Sequence, residues 1–144
     1  LFKNYYPKQF PTLWDNFGEL VEWGGIVSTR EVWKEIQASP VEALRDWAEK
    51  NKALFPPPTA QEAIKVAQIY AVPHFQQNIE QKKLLNGGYV ADPFVIAKAM
   101  ELRGTVVTIE RPKPHGTKIP NICMHFGIAC LDLEQFMDRE GWRF

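Results

Sequence analysis

Apolar positions recur at helical spacing along most of this chain and gather into short continuous runs in three places. Leu13, Trp14, Phe17, Leu20 and Val21 fall at such intervals and predict a helix from Thr12 to Trp23, which Gly24-Gly25 ends. Before it, Tyr5 to Pro11 is aromatic and broken by proline, and reads as a loop. Ile26-Val27-Ser28 predicts a short strand. Ser28 and Glu31 then form a capping-box pattern, in which a hydroxyl and a carboxylate satisfy each other's backbone amides, opening a helix to about Ala38. Ser39, Pro40 and Glu42 repeat the signal for a helix from Val41 to Asn51. Phe55-Pro56-Pro57-Pro58 breaks the chain, and Thr59 with Glu62 opens a helix to about Ala71.

Pro73 separates that helix from a polar one, His74 to Leu85, stopped by Asn86-Gly87-Gly88. Tyr89-Val90-Ala91 leads into Asp92, which reads as the N-cap of a helix from Pro93 to Arg103, with Gly104 as its stop. Thr105 to Ile109 predicts a strand, Arg111 to Lys118 a loop, Pro120 to Phe126 a short helix and Ile128 to Leu131 a strand. Asp132 is the expected N-cap of a last helix to Glu140. Helices alternating with short apolar strands predict an α/β fold with a small, mainly parallel sheet and more helix than usual. No repeat or linker divides residues 1–144, so one domain is expected.

Composition adjusts this picture at a few points. A length of 144 residues with 45% apolar content suits one domain with a real core, and nine Phe and five Trp supply much of its area. The formal net charge of zero provides no global field to draw in nucleic acid. That counts against a high-affinity nucleic-acid binder, but not against an enzyme with a local basic rim. Cys123 and Cys130 form no CxxC and have no neighbouring histidine pattern, so a cysteine-based zinc site is not expected and a reduced pair is. No apolar run approaches a membrane span, so a cytoplasmic soluble protein without membrane contact is expected. The chain opens on Leu1 rather than Met, and a segment upstream is expected.

The candidate chemistry lies in three acids where strand edges meet helix starts: Glu35, Asp92 and Glu110. In open α/β sheets ligands gather along that edge. Carboxylates brought together there repel, and a divalent cation is the simplest means of holding them ionised. Each acid also has a plain structural reading: Glu35 as a solvated helix glutamate, Asp92 as an ordinary cap before Pro93, Glu110 as a strand-terminal acid. Arg111, Lys113, His115 and Lys118 follow Glu110 directly. Arg111 and Lys113 read either as phosphate-holding cations or as a solvated surface. His74, His115 and His125 share no metal-ligand spacing; His74 reads as a helix-start residue and His125 as partly buried. No GxSxG, P-loop or dinucleotide-binding glycine pattern is present.

The segments NYYP, FPTLWDNF, GGIVSTREVWKEI, LRDWAEK, ADPFVIAKAM, GTVVTIERP, KIPNICMHFGI and GWRF span nearly the whole chain. In them the chain resembles PIN-domain ribonucleases of the toxin–antitoxin type, in a PIN-like bacterial branch of unknown function; ADPFVIA and TVVTIE are the most specific. The resemblance implies a PIN-like three-layer α/β/α sandwich. It implies a toxin that hydrolyses RNA with Mg²⁺ or Mn²⁺ held by Glu35, Asp92 and Glu110, a cognate antitoxin as partner, and a homodimer. That family opens on a strand ending in Asp-Ala-Asn or Asp-Thr-Asn. Nothing before Tyr5 matches this motif, and Leu1-Phe2-Lys3 looks like the stretch just after it. The alternative is a catalytically inactive PIN-like protein-interaction module that docks through Tyr5, Tyr6, Phe10 and Trp14.

Overall fold

The structure, a computed structural model, describes residues 1–88 and 90–144; Tyr89 of the expected lead-in to Asp92 lies outside the described residues. Chain order is α1 (Pro11–Glu22), α2 (Arg30–Gln37), α3 (Glu42–Lys50), a 3-10 turn (Lys52–Leu54), α4 (Ala60–Tyr70), α5 (Pro73–Leu85), α6 (Asp92–Leu102), β1 (Val106–Val107), α7 (Ile119–Phe126), β2 (Cys130–Leu131) and α8 (Leu133–Arg139). The fold is mixed α/β and mostly helical, with one two-stranded parallel sheet among the described residues. Val106 pairs with Cys130 and Val107 with Leu131, and α7 is the crossover between the two strands.

Capping chemistry accounts for several boundaries. The Thr59 hydroxyl accepts from the Glu62 amide at 3.1 Å, and the Glu62 carboxylate accepts from the Thr59 amide at 3.0 Å. Asp132 and Gln135 make the same reciprocal pair at 2.8 and 2.9 Å, opening α8 as expected. Elsewhere the boundaries move. Thr29, not Ser28, is the N-cap of α2, and no side chain caps it. Asp92 is the first residue of α6 rather than its cap, a position that falls to Ala91. Arg103, not Gly104, takes the left-handed conformation ending α6, with φ 52°.

The strand expected at Ile26-Val27-Ser28 does not form. The backbone there reaches the end of the 3-10 turn and the segment after it by two separate bonds: the Ser28 amide to the Leu54 carbonyl and the Arg30 amide to the Pro56 carbonyl, both 3.0 Å. Pro56, Pro57 and Pro58 have no amide hydrogen to return, so no ladder can grow. The strand expected over Thr105 to Ile109 keeps only Val106–Val107, because its partner turns at Asp132 into the cap of α8.

Ile69 of α4, Phe75 and Ile79 of α5, Ile96 of α6, Val106 of β1, and Ile122 and Cys123 of α7 form one buried cluster. A second region, nearer the N-terminus, buries Leu13, Leu20, Ala48 and Phe55. It is bridged by rings in sequence: Phe2 to Trp14 at 4.5 Å, Trp14 to Phe17 at 5.9 Å, Phe17 to Trp47 at 5.8 Å and Trp47 to Phe55 at 6.4 Å. Across the α4–α6 contact, Lys98 donates to Glu62 at 3.1 Å, a buried ion pair. Among the described residues no helix is long and apolar enough to cross a membrane.

Candidate functional site

Two of the three candidate acids stand together at the start of α6. Glu35 projects from α2, and its Oε1 accepts the backbone amide of Ala91 at 2.9 Å. Asp92 follows directly, and its Oδ2 accepts from the Lys82 ammonium of α5 at 2.8 Å. An amide at a helix N-terminus carries partial positive charge, which is why a carboxylate settles there. Glu110 obeys the same logic at the next helix. Beyond the end of β1, its Oε2 accepts the amide of Ile119, the first residue of α7, at 2.9 Å. The structural role foreseen for Asp92 is thus played by Glu35 and Glu110, each of which satisfies a helix-entry amide with one carboxylate oxygen.

The charges reach one another. Burial pushes the Glu35 carboxyl above its ordinary value, and the Asp92 and Glu110 carboxylates push it further; the Ala91 amide and the Lys82 ammonium pull it down. Burial is the first cause and like-charge repulsion a lesser one. The three acids therefore share an electrostatic neighbourhood. In composition they suit a hard cation that takes oxygen ligands. In position they do not chelate one as they stand: among the described residues, no three His, Cys, Asp or Glu groups are placed to hold a metal ion together. Lys82 supplies the positive charge at Asp92 instead.

Past the carboxyl ends of β1 and β2 lies an open cleft of about 360 Å³, lined by Thr108, Glu110, Arg111, Met124, Asp132 and Gln135 among others. Glu110 is the one candidate acid that lines it. The basic loop is held in shape at its edge. Asn121 of α7 accepts the amides of Lys113 and Lys118 at 3.2 and 3.3 Å and donates to the Lys113 carbonyl at 2.7 Å. A side chain on Gly116 would lie 2.8 Å from Cβ of Lys113 and 2.9 Å from the Asn121 amide oxygen, so the loop closes tightly only with glycine there. The His115 carbonyl lies 3.0 Å from Nε2 of His74. Arg111 and Lys113 remain exposed. His125, expected to be partly buried, is exposed, with its ring 5.1 Å from that of Phe75.

A family model described as a domain of unknown function (DUF4411) matches residues 2–144. The chain belongs to the DUF4411 family. No curated protein and no solved structure matches it. In this DUF4411 chain, sequence reasoning had passed over Lys82 and Asn121. Lys82 sat in a polar helix whose pattern gives no sign of which lysine faces an acid. Asn121 stands at the third position of α7, where its amide oxygen accepts the Lys118 amide, but Lys-x-x-Asn is not a capping-box pattern that the sequence announces. Cys123 is buried and Cys130 partly so, and both are free thiols. Burial pushes Cys123 up to about 12, and it also raises Cys130, so neither is a ready nucleophile at neutral pH.

Proposed function

We propose that this chain is a metal-dependent endoribonuclease, a cytoplasmic toxin of a toxin–antitoxin pair, built on a PIN-like three-layer α/β/α sandwich. The observation that carries the reading is the meeting of Glu35 of α2 and Asp92 of α6 at one helix start, where Glu35 accepts the Ala91 amide at 2.9 Å, with Glu110 just beyond the end of β1. These three would hold Mg²⁺ or Mn²⁺, with their uncommitted oxygens as donors. The cation would supply a water acidic enough to attack a phosphodiester at neutral pH. Arg111 and Lys113, exposed beside Glu110, would hold the phosphates of a single strand. The cognate antitoxin and a second copy of the chain are the partners this reading expects.

Cleavage of a mixed RNA pool with Mn²⁺, by wild type and by Asp92→Asn, tests it. Asn keeps the size of the side chain, so far-UV circular dichroism should be unchanged while cleavage falls about a hundredfold or more. Replacing Arg111 and Lys113 together by Ala should weaken RNA binding and reduce the slope of log affinity against log salt by about 1.4. Undiminished cleavage by Asp92→Asn would remove that residue from the mechanism. A second reading, an inactive PIN-like interaction module, is favoured by the ion pair already neutralising Asp92 and by the exposed Tyr6 and Phe10. It expects RNA to stay intact at every Mn²⁺ concentration.

A further inference from the structure

The cleft past the carboxyl ends of β1 and β2 carries polar groups that the fold leaves partly unused. Glu110 gives Oε2 to the Ile119 amide at 2.9 Å, and its Oε1 has no partner among the described residues. The Thr108 hydroxyl accepts the Glu110 amide at 3.1 Å and keeps its hydrogen to donate. Gln135 commits its side-chain oxygen to the Asp132 amide at 2.9 Å, which leaves its NH₂ group as a donor. Met124 and Ile128 add an apolar wall, and Met124 is 68% exposed. Arg111 is an exposed part of the lining, and Lys113 follows it in the loop that Asn121 already holds in shape.

A cleft of about 360 Å³ takes a small ligand or one residue of a chain, and its open side lets a base enter while sugar and phosphate stay outside. The lining acids Glu110 and Asp132 repel an anion there, and Arg111 repels a cation. What fits is a neutral, flat body with a polar edge, its charge carried outside the cleft. A nucleobase has that form, and its phosphate would meet Arg111 and Lys113. Among the RNA bases only guanine presents adjacent N–H donors at N1 and N2 beside an acceptor at O6. A single carboxylate satisfies both donors, and a primary amide or a hydroxyl satisfies the acceptor. We propose that this cleft binds a guanine nucleotide, free or as one residue of a single-stranded RNA, with Glu110 reading the base, Gln135 or Thr108 donating to O6, and Arg111 and Lys113 holding the phosphate. No cation takes part in this recognition, so it stands or falls apart from the metal reading. A Glu110 turned to a base leaves Glu35 and Asp92 as the acids that meet at the start of α6.

Calorimetric titrations in EDTA with guanosine, adenosine, cytidine and uridine monophosphates read the preference. Guanosine monophosphate should bind about tenfold more tightly than the other three. Inosine monophosphate, which lacks only the amino group at C2, should fall several-fold behind it. Glu110→Gln keeps an oxygen for the Ile119 amide and loses the charge, and should bring the guanosine-to-adenosine ratio close to one. Arg111→Ala should weaken all four alike and leave that ratio unchanged. Amide NMR spectra of wild type alone survive a variant that fails to fold. Guanosine monophosphate should shift Thr108, Glu110 and Gln135 and leave Leu13 and Leu20 in place. Uridine pentanucleotides with one central guanine or adenine then separate the two sources of the base.

Equal binding of the four monophosphates by wild type, or shifts gathered away from the cleft, would overturn the proposal. So would a folded Glu110→Gln that keeps the guanosine preference. A preference shared by the pentanucleotides supports it with RNA as the source, and one confined to the monophosphates supports it with the free nucleotide. An intact guanosine preference in a chain that cleaves no RNA would remove the nuclease reading and leave the cleft assigned.

Discussion

Two lysine–carboxylate pairs with nearly the same geometry occupy opposite kinds of environment in this molecule. Lys98 meets Glu62 at 3.1 Å across the α4–α6 seam, where the two side chains are 11% and 4% exposed. Lys82 meets Asp92 at 2.8 Å at the candidate site, where they are 27% and 19% exposed. The shorter contact is the wetter one, so distance does not rank the two. What differs is the alternative open to each charge. When the outer pair opens, both ions can find water. The inner pair has far less access to it, and Glu62 is held further by the Thr59 amide at the start of its own helix. One pair is a strut in the fold; the other is a contact that can be exchanged.

The largest test of that contrast is Lys98→Met. It leaves the Glu62 carboxylate buried and without its cation, which should lower stability by about 3 to 5 kcal/mol in a denaturant titration. Adding Glu62→Gln should recover most of the loss, because the amide still accepts the Thr59 amide and no charge remains stranded. If Lys98→Met cost under about 1 kcal/mol, the inner pair would be no more structural than a surface one.

Lys82→Met should cost far less in metal-free buffer, about 1 kcal/mol or below. It should also respond to salt where Lys98→Met does not. At 1 M ionic strength the screening length falls to about 3 Å, so the difference between Lys82→Met and wild type should shrink towards zero. A Lys98→Met deficit that shrank in parallel would show that water reaches both pairs, and the contrast would collapse.

The sequence displayed these two pairs unequally. Glu62 was legible as half of a capping box, because Thr-x-x-Glu is a local signal and both of its bonds formed. Its burial was not legible, since that depends on α6 lying across α4. Lys98 interrupts the mostly apolar stretch from Pro93 to Met100. Only the tertiary contact turns that interruption into a counter-charge. The same limit applies at the site. Glu35, Asp92 and Glu110 were located from their places beside helix starts and strand ends. The oxygen each commits to a backbone amide or to Lys82 was invisible, because those partners lie from 9 to 56 residues away in the chain. The missed strand at Ile26-Val27-Ser28 failed for a related reason: the segment it meets past Leu54 runs into Pro56, Pro57 and Pro58, which have no amide to return.

The smallest effect expected concerns Glu35, and it carries a sign that distinguishes strain from support. Its carboxyl is raised in the folded chain above the ordinary value of 4.5, first by burial and then by Asp92 and Glu110. The folded state therefore holds the proton more tightly than the unfolded chain does. The stabilisation this brings is fully present below the ordinary value and is lost as pH rises through the raised one. At neutral pH the ionised Glu35 is thus a cost to the fold. Glu35→Gln removes that cost and keeps an oxygen for the Ala91 amide. It should stabilise the metal-free protein at pH 7 by about 0.5 kcal/mol or less once solvent screening is allowed for. Melting curves of both proteins from pH 4 to 8 should show them converging as the pH falls. In wild type, Mn²⁺ should bind more tightly as pH rises through the same window, since it competes with the proton on Glu35. If Glu35→Gln proved less stable at every pH, the charge-assisted bond to Ala91 would outweigh the repulsion. The acids would then be ordinary helix-entry caps, not a site held under tension for a cation.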